Sequence, residues 1–150
     1  MGELRTTRPK AAIYSNLASR RQVIRFRIGD KLRVLGGFGF YHYGIYIGAW
    51  GGYPHCVINN AKFQQVEITT LVAFADGRPI ELAERLARNG WEAARIVQRA
   101  FSLLGKKYDL LNFNCEHAAN FALRGEAISL AVRGAVVLGT FLALAFVARD

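Results

Sequence analysis

Residues 108–125 of the chain read YDLLNFNCEHAANFALRG. The apolar run at 108–113 predicts a strand, and Asn114 then stands where a helix N-cap belongs, because its side-chain oxygen can accept a free amide hydrogen. Cys115 falls in the first turn of the predicted helix, where the helix dipole favours a lowered thiol pKa. Strand, cap, cysteine and helix together predict a nucleophile elbow. A buried structural cysteine is the alternative, since free cysteine is among the most buried residue types.

The composition indicates one domain with a sizeable core, since 52% of the 150 residues are hydrophobic. The chain contains two cysteines, Cys56 and Cys115, which are too few for a disulfide framework or a zinc site. We therefore expect no zinc site, and we assign Cys56 to the core. The first residues lack the apolar run of a signal peptide, so none is expected.

The positive charge is concentrated at the start of the chain. Residues 1–33 hold nine Lys and Arg against two acidic residues, which accounts for +7 of the net charge of +9. We predict that residues 1–28 form a basic, flexible N-terminal arm. Such an arm suits an anionic membrane surface, and a solvated tail is the alternative. Nucleic-acid binding has no support beyond this arm, so no nucleic-acid partner is expected.

The middle of the chain predicts a small antiparallel sheet. Residues 31–35, 42–48, 53–60 and 66–69 have the alternation or the β-branched and aromatic content of strands. A two-residue loop at Trp50-Gly51 would pair His42 with Asn59 and Tyr46 with His55, with opposite Cβ atoms about 5 Å apart. A slipped hairpin that turns at residues 48–49 would instead place His55 opposite His42.

Helical patterns flank the predicted sheet. Residues 91–104 have an amphipathic pattern followed by Gly105, which favours a helix ending there. Residues 71–75 predict a helical turn, and residues 80–82 start either a strand or a helix.

Residues 127–148 are apolar except for Ser129, Arg133 and Thr140. As a helix this segment is about 33 Å long, against a bilayer core of about 30 Å. We predict a membrane-anchoring helix, with Arg133 extending to the headgroups. A fully buried C-terminal helix or an oligomer contact is the alternative.

Taken together, these features resemble the lecithin:retinol acyltransferase-like family, which includes the small phospholipase A/acyltransferases also called H-Ras-like suppressors. The resemblance lies in the Gly29-Asp30 turn, the strand beginning HYGIY at residue 42, the helix at 91–105 and the NCEH box at 114–117. It covers residues 29–133. It implies an α+β, permuted papain-like (NlpC-type) domain at residues 29–126, in which a small antiparallel sheet packs with a helix carrying the nucleophile.

The resemblance also implies site residues. Cys115 is the nucleophile and His42 the general base. A second histidine usually orients the imidazole, but Asn59 stands at the matching position, and His55 is the less favoured candidate. An amide oxygen can accept from one imidazole nitrogen, so Asn59 is chemically adequate. Glu116 and His117 are assigned structural roles.

The activity implied by the resemblance is thiol-dependent acyl transfer or phospholipase action on a glycerophospholipid or other acyl donor, through a thioester on Cys115. This chemistry needs no metal or organic cofactor, so none is expected. The protein is expected to be membrane-associated, single-pass or monotopic, with the catalytic domain in the cytoplasm. An NlpC-like cysteine amidase or peptidase would use the same residues. A non-catalytic domain that binds membranes or a partner is the remaining alternative.

Overall fold

Five antiparallel strands form one sheet in the order β4-β3-β2-β1-β5. The computed structural model describes residues 26–36, 39–60, 64–109 and 112–126. Helices accompany the sheet, so the predicted α+β class is confirmed. The elements found in the described residues are β1 (Lys31–Leu35), β2 (Tyr41–Trp50), β3 (Tyr53–Asn60), β4 (Val66–Thr70), α1 (Leu71–Ala75), β5 (Ile80–Glu84), α2 (Gly90–Phe101) and α3 (Cys115–Arg124).

The hairpin between β2 and β3 turns at Gly51-Gly52, whose φ angles are 56° and 83°. The predicted loop at Trp50-Gly51 is therefore wrong. A tight hairpin loop of this kind needs positive φ at both central residues, and two glycines meet that need without the strain that Trp50 would carry.

The register of β2 and β3 differs from the prediction as a consequence. Asn59 pairs with Gly44, and Val57 pairs with Tyr46. The predicted pairs, His42 with Asn59 and Tyr46 with His55, are wrong by two residues, and the slipped alternative that opposes His55 to His42 is also wrong. The strand extents at 31–35, 53–60 and 66–69 agree closely with the observed β1, β3 and β4.

The sheet carries a core on each face because successive strand residues point to opposite sides. One face packs against α2 and α3, and its buried residues include Ile45, Ile58 and the fully buried Cys56. The other face packs against α1, with Tyr46 and Val57 in its cluster. Cys56 is thus a core residue, as predicted.

Three predicted elements need comment, because the structure shortens one, decides the type of another and replaces the third. The helix predicted at 91–104 is α2, which ends at Phe101, and the ambiguous stretch at 80–82 belongs to strand β5. The strand predicted at 108–113 is wrong for its described residues. Asp109 and Phe113 exchange two backbone hydrogen bonds of 2.9 Å, and Asp109 Oδ1 also accepts from the Asn112 amide, which closes a local turn.

Two predicted segments lie largely outside the described residues. The basic arm at 1–28 is described only from Phe26 onward, where the Phe26 ring lies 6.1 Å from the Tyr46 ring. The apolar segment at 127–148 lies wholly outside them. None of the helices in the described part of the chain has the length and apolarity needed to cross a bilayer.

Candidate active site

Cys115 is the first residue of α3, and Asn114 caps that helix. Asn114 Oδ1 accepts from the amides of Glu116 at 3.0 Å and His117 at 3.1 Å. The Asn114 amide in turn donates to His117 Nδ1 at 3.2 Å, which completes a reciprocal capping box. The predicted cap is confirmed, and His117 makes a structural hydrogen bond as expected.

The loop before Cys115 is tied to the sheet by Asn60. This residue has no exposed surface, and its Nδ2 donates to Phe113 O at 2.8 Å. Because Phe113 precedes the N-cap, this bond fixes the start of α3 relative to β3. The sequence contains no signal for this role, since Asn60 is simply the last residue of a predicted strand.

The thiol of Cys115 is partly buried against the start of β2. Its Sγ atom lies 3.9 Å from Tyr41 O. Burial raises the pKa of the Cys115 thiol, while hydrogen bonds from the backbone amides of Tyr43 and Glu116 act to lower it. The expected net lowering of the Cys115 pKa by the helix N-terminus is therefore wrong, because desolvation of the thiolate outweighs the amide dipoles.

His42 and Asn59 are brought together despite the shifted register. His42 Nε2 lies 3.0 Å from Asn59 Oδ1, and the His42 ring centroid lies 5.2 Å from that of Phe74 in α1. Since Asn59 presents an oxygen, Nε2 carries the proton and Nδ1 is left as the basic nitrogen. Burial lowers the pKa of His42, and the bond to Asn59 opposes that shift.

His55 belongs to a different pair. Its Nδ1 lies 2.7 Å from the Tyr46 hydroxyl, and the two rings stack with their centroids 6.2 Å apart. Burial lowers the pKa of His55. The residue in contact with His42 is thus Asn59, not His55.

Cys115 and the His42–Asn59 pair approach the start of β2 from different sides. The helix α3 packs on the face of Ile45 and Ile58, whereas the His42 ring packs on Phe74 with the other face. In the described part of the chain no hydrogen bond joins Cys115 to His42. The structure therefore places the backbone next to residue 42 against the thiol, and it leaves the imidazole on the α1 side.

The cavity beside Cys115 is small, at about 10 Å³. It lies between the sheet and the helices α2 and α3, and the residues around it include Tyr43, Ile58, Ala118 and Ala122. A volume of this size holds about one water molecule, so an acyl chain has to lie outside it. Among the described residues no group of three His, Cys, Asp or Glu side chains is placed to hold a metal ion.

A buried lysine lies near the thiol, and the sequence did not indicate it. Lys31 is 6% exposed, its Nζ donates to Asn120 Oδ1 at 2.6 Å, and that nitrogen lies 4.5 Å from the centroid of the Tyr43 ring. Burial lowers the pKa of Lys31, and the charges of Glu116 and of an ionised Cys115 oppose that shift. The alternation in β1 gives Lys31 and Arg33 the same face, and only the packing of α3 shows that Lys31 is covered.

The family assignment follows from a comparison with known proteins. The family model described as Lecithin retinol acyltransferase matches residues 24–128, which is more than half of the chain and contains the sheet and all three helices named above. The chain belongs to the lecithin retinol acyltransferase family. No curated protein matches the chain.

The family match confirms the resemblance carried by the HYGIY strand and the NCEH box. The five-stranded sheet with its helices is consistent with a domain of the NlpC-like type. Membership places the chain in a family of acyltransferase and phospholipase type, and the family suggests lipid substrates.

Proposed function

We propose that this protein is a thiol-dependent acyltransferase or phospholipase that takes an acyl group from a glycerophospholipid. The observation that carries the proposal is the position of Cys115 at the capped N-terminus of α3, in a chain of this family. A thiol at that position is attached to a rigid element and faces amides that favour its ionised form.

In the proposed reaction the Cys115 thiolate attacks the ester carbonyl. The carbon–oxygen bond of the ester breaks, and the lysolipid leaves as its alcohol after receiving the proton that His42 took from the thiol. The acyl group remains as a thioester on Cys115. Water or an amine or alcohol acceptor then takes it, and the free thiol is restored. The backbone amide of Cys115 would stabilise the oxyanion in both steps.

The role proposed for His42 requires a movement of its ring. The imidazole packs on Phe74, and it must reach the thiol to act as base. His42 is the second residue of β2, and the carbonyl of the first, Tyr41, already lies against Sγ. Asn59 would orient the ring through Nε2 and leave Nδ1 for the proton.

Membrane association is part of the proposal. The basic residues of the arm at 1–28 would bind an anionic surface, and the apolar segment at 127–148 would anchor the chain, as a single-pass or monotopic protein with the catalytic domain in the cytoplasm. Such an anchor would keep the thiol close to its lipid substrate.

A second candidate is a non-catalytic domain that binds a membrane or a partner. Two observations favour it: burial raises the pKa of Cys115, and in the described residues no hydrogen bond connects the thiol to His42. If Cys115 reacts with iodoacetamide no faster than a free cysteine at neutral pH, this candidate is preferred.

The test is to incubate the full chain in detergent with phosphatidylcholine and to weigh the intact protein. We expect a fatty-acyl adduct on the wild type that is absent from Cys115→Ser. In His42→Ala the adduct should form at least about 100-fold more slowly, because general-base catalysis is lost.

Cys56→Ser is the matched control, since this cysteine lies in the core, and the adduct should persist in it. No adduct and no lysolipid from a folded wild-type protein would refute the phospholipase proposal. The amidase and the non-catalytic domain would then remain.

A further inference from the structure

A groove separate from the thiol lies between the outer face of α2 and the end of α3. Its volume is about 580 Å³. Trp91, Arg95 and Arg99 on α2, Arg88 before it and Arg124 at the end of α3 contribute to its walls. Nothing in the proposed acyl transfer uses these residues.

Trp91 is the most unusual residue of the groove. It is 67% exposed, although its ring is large and apolar. The Arg95 guanidinium carbon lies 4.8 Å from the centroid of that ring. Tryptophan with an adjacent cation is typical of surfaces that meet the headgroup region of a bilayer, where one part of the side chain is apolar and the other is wet.

The arginines of the groove are not fully neutralised. Arg88 pairs with Glu92, and Arg124 pairs with Glu84. Arg99 donates to the carbonyls of Ala122 and Leu123, which are not anions.

Within the described ranges, Arg95 has no carboxylate partner, and it lies close enough to Arg99 to act with burial in lowering the pKa of Arg99. An anion bound between these two guanidinium groups would relieve their repulsion. A guanidinium binds phosphate oxygens in a bidentate manner, which makes phosphate a suitable anion.

The groove includes residues that come shortly before the apolar C-terminal segment in the chain. Leu123 and Arg124 line the groove, and Gly125 is the C-cap of α3. The apolar segment at 127–148 begins two residues later and carries a single charged residue, Arg133. If that segment enters a bilayer, the groove lies at the level of the headgroups.

We propose that the groove of Trp91, Arg95 and Arg99 docks on an anionic membrane surface, with Trp91 in the interface and the two guanidinium groups on lipid phosphates. This inference deepens the membrane partner of the proposed function, and it rests on that part alone. Leu123 is eight residues beyond Cys115 in α3, or about 12 Å along the helix axis. Docking and acyl transfer can therefore be tested separately.

The experiment uses the two tryptophans of the full chain as reporters. Trp50→Phe leaves Trp91 as the reporter of the groove. Trp91→Phe leaves Trp50, which is 42% exposed and packs on Phe101 away from the groove. Each protein is reconstituted into brominated phosphatidylcholine vesicles, with or without phosphatidylserine.

We expect phosphatidylserine to shift Trp91 emission to shorter wavelength and to increase its quenching by bromine, with neither change for Trp50. Arg95→Glu in the Trp91 reporter should lose the phosphatidylserine-dependent part of the quenching. Lys107→Glu changes the net charge equally at an exposed site outside the groove and should keep it.

The proposal would be overturned if phosphatidylserine left the Trp91 emission wavelength unchanged, or if brominated lipid quenched Trp91 no more than Trp50. A Trp91 emission already at short wavelength in detergent and unquenched in vesicles would overturn it in favour of residues 127–148 covering the groove. Mass measurement of the acyl adduct on the same reporters distinguishes the two proposals, because an adduct without quenching contradicts docking alone.

Discussion

The imidazole of His42 is subject to two opposing influences. Burial beside Phe74 disfavours the imidazolium ion and lowers the pKa of His42, whereas the Asn59 oxygen stabilises the ring N–H and opposes this lowering. A base with a lowered pKa is neutral, and therefore able to accept a proton, at neutral pH. In the proposed mechanism Asn59 would therefore adjust the basicity of His42 as well as the orientation of its ring.

Asn59→Ala tests this balance. Removing the acceptor should lower the pKa of His42 further below the ordinary imidazole value of about 6.5. Adduct formation should fall by about tenfold or more, since part of the general-base contribution depends on orientation. Titration of the ring protons by NMR measures the pKa directly. The signal that disappears in His55→Gln is that of His55, which separates it from the signal of His42.

Asn59→Asp provides the opposite change, because a carboxylate stabilises the imidazolium and should raise the pKa of His42. An unchanged His42 pKa in both variants would mean that the bond to Asn59 has no influence on the ring.

At the scale of elements, the approach of β2 to β3 and α1 depends on Gly44. A Cβ added at Gly44 would lie 2.4 Å from Val57 Cγ1, 3.0 Å from Phe74 Cε2 and 3.1 Å from Ile58 O. The same glycine pairs with Asn59 in the hairpin. Its small size therefore keeps the strand of Asn59 within reach of His42.

Gly44→Ala should lower the free energy of unfolding by about 1–3 kcal/mol, because the added methyl group overpacks the core. Urea unfolding measures the change. Gly90→Ala is the matched control, since a Cβ there meets no atom within 4 Å and the site lies at the start of α2. Equal midpoints for the two variants would contradict the close packing at Gly44.

The same elements show what the sequence can reveal. Strand extents follow from alternation, and the cap at Asn114 follows from local chemistry, so both were predicted correctly. The hairpin register was not, because Trp50-Gly51 and Gly51-Gly52 are both plausible loops until the φ angles are known. Apolar composition at 108–113 could not reveal the turn closed by Asp109.

The geometry of the candidate site was only partly predictable for a similar reason. The family resemblance, carried by the HYGIY strand and the NCEH box, implies Cys115, His42 and Asn59 as site residues. They do not show which face of the sheet each side chain occupies, nor that α3 covers Lys31. Those facts depend on the packing of elements distant in sequence.

The pKa of every histidine in the chain is shifted in the same direction. Burial lowers the pKa of His42, His55 and His117. The native state therefore binds fewer protons than the unfolded chain below the ordinary imidazole pKa. The contribution of the three histidines to the free energy of unfolding is fully present above that value. It is lost as the pH falls through the lowered native pKa values.

We expect the free energy of unfolding to decrease between about pH 7 and about pH 5, a window above the titration of most carboxylates. Urea midpoints across this range measure the effect. His42→Gln should weaken the dependence, since it removes one contributor. A stability that is flat or rises on acidification would contradict the shared direction of the three shifts.

The unequal burial of the two cysteines has a practical consequence. Cys56 has no exposed surface, and burial raises the pKa of its thiol, whereas Cys115 is partly exposed at the start of α3. A thiol reagent can reach Cys56 only when the sheet and the helices separate. We therefore expect one label per native chain, and the slow appearance of a second label would report the opening of the core.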